Sequence, residues 1–249
     1  MSRHFKLLGA ALVTATLAAC GGGSGGGGGG GSQPVANQDP QGLWNGTSTS
    51  GYTIGALVLE NGEFWSIFSR NGLAYGVDYG TGTVSGTNIS GNIQEFYIPT
   101  NQVYSGSLTA TFSPKATMQV NTSYSNGNTT STALAYNTSY DTPASLAQAT
   151  GTYTGNYYTG APVNISISSN GVVSGISNTC NIGGNVTPRP TGKNVYNVSL
   201  TFSGSNCEPG VGTATGVGIL STSNGSTYLY TAGLNSTKTN GFFWIGKKQ

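Results

Sequence analysis

The alternation of large apolar and small polar residues is the feature that most constrains how this chain can fold. Tyr196, Val198, Leu200 and Phe202 alternate with Asn, Ser and Thr residues, and residues 163–167 repeat the pattern. Side chains of a β-strand point alternately to its two faces, so the four large groups would lie together on one face. Such periodicity predicts half-buried strands across residues 41–249.

Asn-Gly pairs separate the alternating stretches. A tight hairpin turn needs positive φ, which Asn and Gly adopt at low cost. Short strands joined by such hairpins predict an all-β antiparallel meander. We expect turns at five such pairs, namely Asn61-Gly62, Asn71-Gly72, Asn126-Gly127, Asn170-Gly171 and Asn224-Gly225.

One short stretch, residues 142–149, suggests a helix. Thr142 is a candidate cap, and Pro143 would occupy the first helical position, where proline is tolerated because no intrahelical donor is needed there. The stretch is too short to determine the fold.

A weak internal repeat indicates two domains. Residues 42–46 read Gly-Leu-Trp-Asn-Gly and residues 151–155 read Gly-Thr-Tyr-Thr-Gly. Repeated units of about 100 residues are of ordinary domain size. We therefore predict two small antiparallel β-domains, each a barrel or sandwich-like, at residues 41–141 and 142–249. The alternative is one larger sandwich or barrel that uses both halves.

The Gly-x-aromatic-x-Gly openings, preceded in the second half by Ser145-Leu146-Ala147, resemble the first strand of calycin-like barrels such as lipocalins and avidins. The resemblance implies that a short helical turn plugs the barrel and that the aromatic residue packs beneath it. The chain lacks the tryptophan set with which avidins bind biotin and the lipocalin cysteine pairing. The resemblance therefore implies a fold and no ligand.

The N-terminus has the pattern of an export signal. Arg3 and Lys6 supply positive charge, and an apolar run at residues 7–19 follows. This run is shorter than the roughly 20 residues that a bilayer core requires. We interpret residues 1–19 as a signal peptide that is removed, and not as a membrane span.

The Leu17-Ala18-Ala19-Cys20 sequence resembles the lipobox of bacterial lipoproteins. The resemblance implies cleavage before Cys20 and attachment of lipid, including palmitate, to that cysteine. Gly21 follows where an Asp would favour retention in the inner membrane, so the resemblance implies a lipid-anchored protein of the outer membrane, on its periplasmic face or at the cell surface. The alternative is an ordinary cleavage site beside a chance cysteine.

Residues 20–40 are expected to form a linker after the lipidated cysteine. Residues 21–32 are ten glycines and two serines, a composition that behaves as a flexible coil. A lipobox, a glycine linker and paired β-domains together resemble Gram-negative surface lipoproteins, the group that includes factor H-binding and transferrin-binding lipoproteins. The resemblance is one of architecture, and the function expected is that of a surface or periplasmic binding module, with a protein or small ligand as partner. The alternative is a structural or envelope-assembly lipoprotein without a small-molecule ligand.

Processing removes the only histidine, His4, together with two basic residues, and leaves seven basic against seven acidic residues. A neutral chain without clustered Lys and Arg offers little to nucleic acid, whose phosphates need neutralising, so we expect no nucleic-acid partner. With Cys20 occupied by lipid, Cys180 and Cys207 remain. Two cysteines in an exported chain most often pair, so we predict a disulfide between them.

Without histidine, the mature chain has no Ser-His-Asp or Cys-His arrangement and no imidazole for a metal site. Its seven carboxylates are scattered, and most lie beside turn residues, where solvation explains them. Glu60 and Glu63 flank Asn61-Gly62 and are interpreted as part of a surface turn. We therefore expect no catalytic residue, no metal, no cofactor and no enzymatic activity.

Arg189 and Lys193 are the candidate ligand-binding residues of the second half. They lie in a proline-containing loop at residues 188–194, and such a loop can present an arginine to a carboxylate or phosphate. The alternative is an ordinary solvated loop tip. Trp44, Trp65 and Trp244 are interpreted as core residues, with a ligand pocket as the alternative.

The strand pattern of residues 41–249 is not that of a membrane barrel. Its alternate strand faces are Ser, Thr and Asn, and it lacks the outward apolar bands and aromatic girdles that such barrels need. The chain ends Gly246-Lys247-Lys248-Gln249, whereas bacterial membrane barrels commonly end on an aromatic residue. A body on a lipid anchor fits the sequence better.

Replacing Cys20 with serine should abolish lipidation, because serine lacks the acceptor thiol. Metabolic labelling with a fatty acid is expected to mark the wild-type protein and to leave Cys20→Ser unlabelled. Equal labelling of both proteins would contradict the lipobox assignment.

Overall fold

The computed structural model describes residues 36–71, 73–157 and 159–249. The predicted signal peptide, Cys20 and the glycine-rich stretch lie outside the described residues, so lipidation stays a prediction. Among the described residues, no helix is long and apolar enough to cross a membrane.

The first barrel is a closed meander of eight antiparallel strands, in which each strand pairs with the next and the eighth pairs back with the first. The strands are β1 (Gly42–Ser48), β2 (Thr53–Val58), β3 (Glu63–Arg70), β4 (Leu73–Ser85), β5 (Asn88–Tyr97), β6 (Gln102–Ser113), β7 (Thr117–Tyr124) and β8 (Thr129–Asn137).

The second barrel repeats this topology and closes by pairing its last strand with its first. Its strands are β9 (Gly151–Asn156), β10 (Pro162–Ile167), β11 (Val172–Ser177), β12 (Cys180–Pro188), β13 (Tyr196–Gly204), β14 (Gly212–Ser223), β15 (Ser226–Asn235) and β16 (Gly241–Lys248). The prediction of two small all-β antiparallel barrels is confirmed. That residues 41–141 and 142–249 are separate domains stays a prediction.

The alternation seen in the sequence sets which side chains fill the barrels. On β13, Tyr196, Val198, Leu200 and Phe202 are all buried, as the period of two requires. The turn between β14 and β15 has positive φ at both Asn224 and Gly225, so this Asn-Gly pair forms the tight hairpin that the sequence predicts.

The helix is shorter than the sequence suggested. It is a single turn, α1 (Leu146–Ala149), capped by Ser145 and not by Thr142. The Ser145 side chain accepts from the Gln148 backbone N–H, and the Gln148 side chain accepts from the Ser145 N–H. The helix begins late because the Ala144 N–H donates to the Lys193 carbonyl, which ties the preceding segment to the 188–194 loop.

The helical turn and the first strand close the second barrel in the way the calycin resemblance implies. Tyr153 of β9 is completely buried, and its hydroxyl donates to the Ala149 carbonyl at 2.8 Å. Tyr196 donates to the Ser145 carbonyl at 2.9 Å and ties β13 to the same turn. In the first barrel, Trp44 is likewise fully buried and donates its indole N–H to the Pro40 carbonyl at 3.2 Å.

The two barrels pack against each other through outward-facing apolar residues. The Trp65 and Tyr79 rings of the first barrel contact each other at a tilted angle, with centroids 4.7 Å apart, in a cluster that includes Val217 and Leu234 of the second. The cluster places Trp65 between the barrels, whereas Trp44 and Trp244 belong to the two barrel interiors. All three tryptophans are buried, so their interpretation as core residues agrees with the structure.

The predicted disulfide is present. Cys180, at the start of β12, is bonded to Cys207 in the segment between β13 and β14, with 4.9 Å between their Cα atoms. Cys180 is almost fully buried. The bond joins the start of β12, next to the β11–β12 turn, to the segment that connects β13 with β14.

Replacing both Cys180 and Cys207 with serine should lower the free energy of unfolding by roughly 3 to 4 kcal/mol, because the bond closes a loop of 27 residues in the unfolded chain. Urea unfolding of the variant and of the wild-type protein, with and without reductant, checks this value. If reductant did not destabilise the wild-type protein, the disulfide would have no role in its stability.

Candidate ligand-binding cavity

The interior of the first barrel contains a cavity of about 490 Å³. This volume lies within the range of small-molecule binding sites. Part of its wall is aliphatic, since several strands point branched or long apolar side chains inward, among them Ile54, Val58, Ile89, Ile93, Leu108 and Met118.

One end of this barrel is covered. Trp44 fills the base, and its ring meets Tyr136 edge-on with centroids 5.3 Å apart. The segment before β1 crosses the same end, where the Gln38 N–H donates to the Gly86 carbonyl at 2.9 Å. The Gly86 N–H in turn donates to the Asn37 side chain at 2.9 Å. This segment therefore holds the barrel base closed.

The other end of the barrel opens to solvent. Ser50, Asn126 and Asn128 line the cavity and are exposed, and all three lie in turns at this end. Aromatic rings surround the opening: Phe68 meets Tyr52 edge-on at 5.4 Å and stacks on Tyr97 at 6.4 Å. A ligand would pass these rings on its way into the barrel.

Asp78 of β4 points into this cavity. It is only 7% exposed, although it is an acidic residue inside an apolar wall. The Ser66 hydroxyl donates to one carboxyl oxygen at 2.6 Å, and the Tyr124 hydroxyl donates to the other at 3.2 Å. These two donors come from β3 and β7, so side chains from two other strands hold Asp78 in place.

The pairing of β3 with β4 explains why this carboxyl is buried so deeply. Phe64 lies opposite Gly80 and Phe68 lies opposite Gly76, with Asp78 between the two glycines. A Cβ atom built on Gly80 would lie 2.2 Å from the Phe64 ring, and one on Gly76 would lie 2.3 Å from the Phe68 ring. The rings therefore occupy the space over the two glycines and flank Asp78.

Glu95 of β5 lies directly opposite Asp78 and also lines the cavity. The register follows from the two-residue turn after β4, which pairs Ser85 with Asn88 and so brings these two acidic residues together. Like charges placed directly opposite on one face of a sheet are destabilising. The barrel thus contains an arrangement that costs stability, a sign of a functional site.

Burial changes the protonation of both carboxyls. It raises the pKa of Asp78 to about 7, with the Ser66 hydrogen bond acting against this rise and the Glu95 carboxyl adding to it. Burial also raises the pKa of Glu95, although a hydrogen bond from Tyr124 lowers it in part. Near neutral pH, Asp78 is therefore divided between its neutral and its ionised form.

No protein-family model matches the chain, and no curated protein matches its sequence. One similar solved structure is a candidate outer membrane protein from Bacteroides fragilis, with 14% identity over 84% of this chain and 95% of that chain and a TM-score of 0.27. Another is a single-residue variant of transferrin binding protein B, a vaccine antigen from Haemophilus parasuis, with 7% identity over 86% and 76% and a TM-score of 0.29. At this level of similarity, function has to be inferred from the residues of the cavity.

The structure places Arg189 and Lys193 outside this cavity, in ion pairs. The Arg189 guanidinium contacts the Glu60 carboxylate at 2.6 Å and the Asn197 side chain at 2.8 Å. Lys193 contacts Asp141 at 2.7 Å. A ligand carboxylate at Arg189 would have to displace Glu60, so the ligand-binding role of these two residues stays a prediction, and the cavity offers the stronger site.

Glu60 lies in the exposed turn that the sequence predicts, and both glutamates also contact groups elsewhere in the fold. Glu60 pairs with Arg189 of the second barrel. Glu63 accepts a hydrogen bond from the Tyr79 hydroxyl at 3.3 Å, and that hydroxyl accepts one from Lys238 at 2.8 Å. Both glutamates therefore have partners within the fold.

Asp78 and Glu95 are not predicted as site residues from the sequence, in which most carboxylates lie beside turn residues and are interpreted as solvated. That interpretation is wrong for Asp78, which lies in the middle of a thirteen-residue strand. The available signal was an acidic residue between Val77 and Tyr79 in an alternating stretch. Among the described residues, no group of three or more His, Cys, Asp or Glu side chains is placed to hold a metal ion.

Replacing Asp78 with asparagine should remove a pH dependence of stability. The folded-state pKa of Asp78, about 7, exceeds its ordinary value of 3.8, so its contribution is fully present below about pH 4 and is lost as the pH rises through 7. The free energy of unfolding of the wild-type protein should therefore fall, relative to Asp78→Asn, by about 3 kcal/mol between about pH 4.5 and pH 7.5.

Urea unfolding at a series of pH values measures this difference. The exposed residue Asp39 supplies the control variant, Asp39→Asn, which should follow the wild-type profile. Parallel profiles for the wild-type protein and Asp78→Asn would show that the Asp78 carboxyl titrates normally and is not buried as described.

Proposed function

We propose that this chain is a lipid-anchored outer-membrane protein whose first barrel binds a small molecule without transforming it. The observation that carries the proposal is the cavity of about 490 Å³ inside that barrel. An eight-stranded barrel has room either for its own side chains or for one small ligand. In the first barrel, the inward-facing side chains leave this space unfilled.

The second barrel shows the other use of the same architecture. Its interior is occupied by large side chains, including Tyr153, Tyr196, Phe202 and Trp244, all of them buried. Since both barrels have eight strands and the same topology, the difference arises from the residues that point inward. The contrast supports a binding role for the first barrel and a supporting role for the second.

The membrane attachment in this proposal rests on the lipobox resemblance at residues 17–20 and on Gly21, which favours the outer membrane. The glycine-rich stretch that follows would tether the barrels while leaving them free to reorient. The partners proposed are therefore the membrane, through lipid on Cys20, and a small ligand in the cavity.

Binding without turnover fits the chemistry of the cavity. The described residues that line it include neither histidine nor cysteine. Asp78 is held by Ser66 and Tyr124 and is surrounded by aliphatic and aromatic side chains, an environment suited to recognising one polar group of a mainly apolar ligand.

Filling the cavity should abolish binding. Ala56 lines the cavity, and Ala56→Phe would place a ring in the space that a ligand needs. The neutral apolar dye N-phenylnaphthylamine should bind the wild-type protein with a rise in fluorescence, and Ala56→Phe should weaken this binding by about tenfold or more.

The matched control is Ala135→Phe, which adds the same ring at an exposed position on β8 of the same barrel. It should bind the dye as the wild-type protein does, and circular dichroism should show both variants folded. If the folded wild-type protein bound no dye, the proposal would fail in favour of a structural or envelope-assembly role.

A further inference from the structure

The two facing carboxyls within the cavity have no cationic partner among the described residues. Among the described residues, Lys115 and Lys193 form ion pairs with Asp141, and Arg189 forms one with Glu60. None of these ion pairs includes Asp78 or Glu95. The titratable groups that line the cavity with Asp78 come from five other strands or turns and are Tyr52, Arg70, Glu95, Tyr97, Tyr104 and Tyr124. Apart from the two acids, they are one arginine and four tyrosines.

Arg70 does not neutralise the pair. It lies at the open end of the barrel, where its guanidinium donates to the Ser50 carbonyl and sits 4.3 Å from the centre of the Tyr52 ring. These contacts hold it at the rim, on the path that a ligand would take. The interior of the cavity is therefore acidic, while its one basic residue is fixed at the mouth.

The hydroxyl donors around Asp78 are neutral, so they satisfy hydrogen bonds without supplying charge. Ser66 and Tyr124 each donate to one oxygen of Asp78. A carboxylate has lone pairs for further donors, and an ionised carboxylate in an apolar surrounding is strongly stabilised by a nearby cation. The protein places two carboxyl groups and no cationic side chain in this part of the cavity, so the counter-charge is left to a ligand.

We propose that the cavity binds an amine cation, a molecule with an apolar body along the aliphatic wall and a protonated amine between Asp78 and Glu95. This inference rests on the proposed function and names its ligand class. A protonated amine offers up to three N–H donors, enough to reach both carboxyls at once. The volume of the cavity, which far exceeds that of an ammonium group, is available to the apolar body.

Other ligand classes fit less well. A fatty acid or phosphate would place a third negative group beside two carboxyls, which is unfavourable at short range. A calcium ion takes six to eight oxygen ligands. A neutral apolar molecule would leave the carboxyl pair without a counter-charge.

Three probes of equal chain length and different head group test the ligand class. Decylamine, decanol and decanoate would each compete with bound N-phenylnaphthylamine on the wild-type full-length protein at about pH 7.5. Decylamine, which is cationic at this pH, should bind about tenfold more tightly than decanol, and decanoate should bind most weakly.

The variants assign this preference to the two carboxyls. Asp78→Asn with Glu95→Gln should lose the advantage of decylamine over decanol and keep the affinity for decanol. Glu208→Gln removes an exposed carboxylate of the second barrel and should retain the wild-type order. An undiminished preference for decylamine in the folded double variant would overturn the inference.

A measurement on the wild-type protein alone covers the case in which the double variant does not fold. Because the cation binds the ionised form of Asp78 better, the dissociation constant of decylamine should fall at least about tenfold from pH 5.5 to pH 7.5. That of decanol should change by less than about twofold. Equal pH profiles for the two probes would contradict the inference.

The outcomes separate this inference from the proposed function. Binding of dye and decanol with no advantage for decylamine would leave the cavity as a ligand site and would overturn the amine class. No binding of the dye or of any of the three probes would overturn both proposals.

Discussion

Closure of each eight-stranded sheet is the constraint on which the rest of this structure depends. It pairs β1 with β8 and β9 with β16, so neither barrel presents an open edge, and it fixes an interior that can hold side chains or one small ligand. The residues at inward positions then decide the outcome. In the second barrel these include Tyr196 and Trp244, whereas in the first barrel Trp44 fills the base and the short or acidic side chains of Ser66 and Asp78 line the remaining space.

Strand β4 connects the cavity with the packing of the two barrels. Val77 and Tyr79 point outward into the apolar cluster between the barrels, and Asp78 between them points inward. The second barrel covers the outer face of this strand, opposite the face that carries Asp78. Packing of Val77 and Tyr79 on the outer face of the strand offsets part of the cost of burying an acidic residue on its inner face. The second barrel therefore supports the site without contributing a residue to its acidic pair.

Much of the fold follows from local patterns in the sequence. The alternation from Tyr196 to Phe202 predicts a half-buried strand, and positive φ at Asn224 and Gly225 follows from turn chemistry. The acidic pair depends on longer-range information, because it requires the register of β4 with both neighbours. A two-residue turn sets the pairing with β5, and a bulge after Phe68 shifts the pairing with β3. Alternation alone does not reveal that bulge or which strands close the barrel.

The protonation of Asp78 reports on both the burial of the acidic pair and its fit to a cation. Carbon-13 NMR of the side-chain carboxyl, followed through a pH titration, reports this group by itself. We expect a midpoint near pH 7 in the free protein and a midpoint lower by at least about one unit when decylamine saturates the cavity. A midpoint near 4 in the free protein, unchanged by the amine, would contradict this expectation.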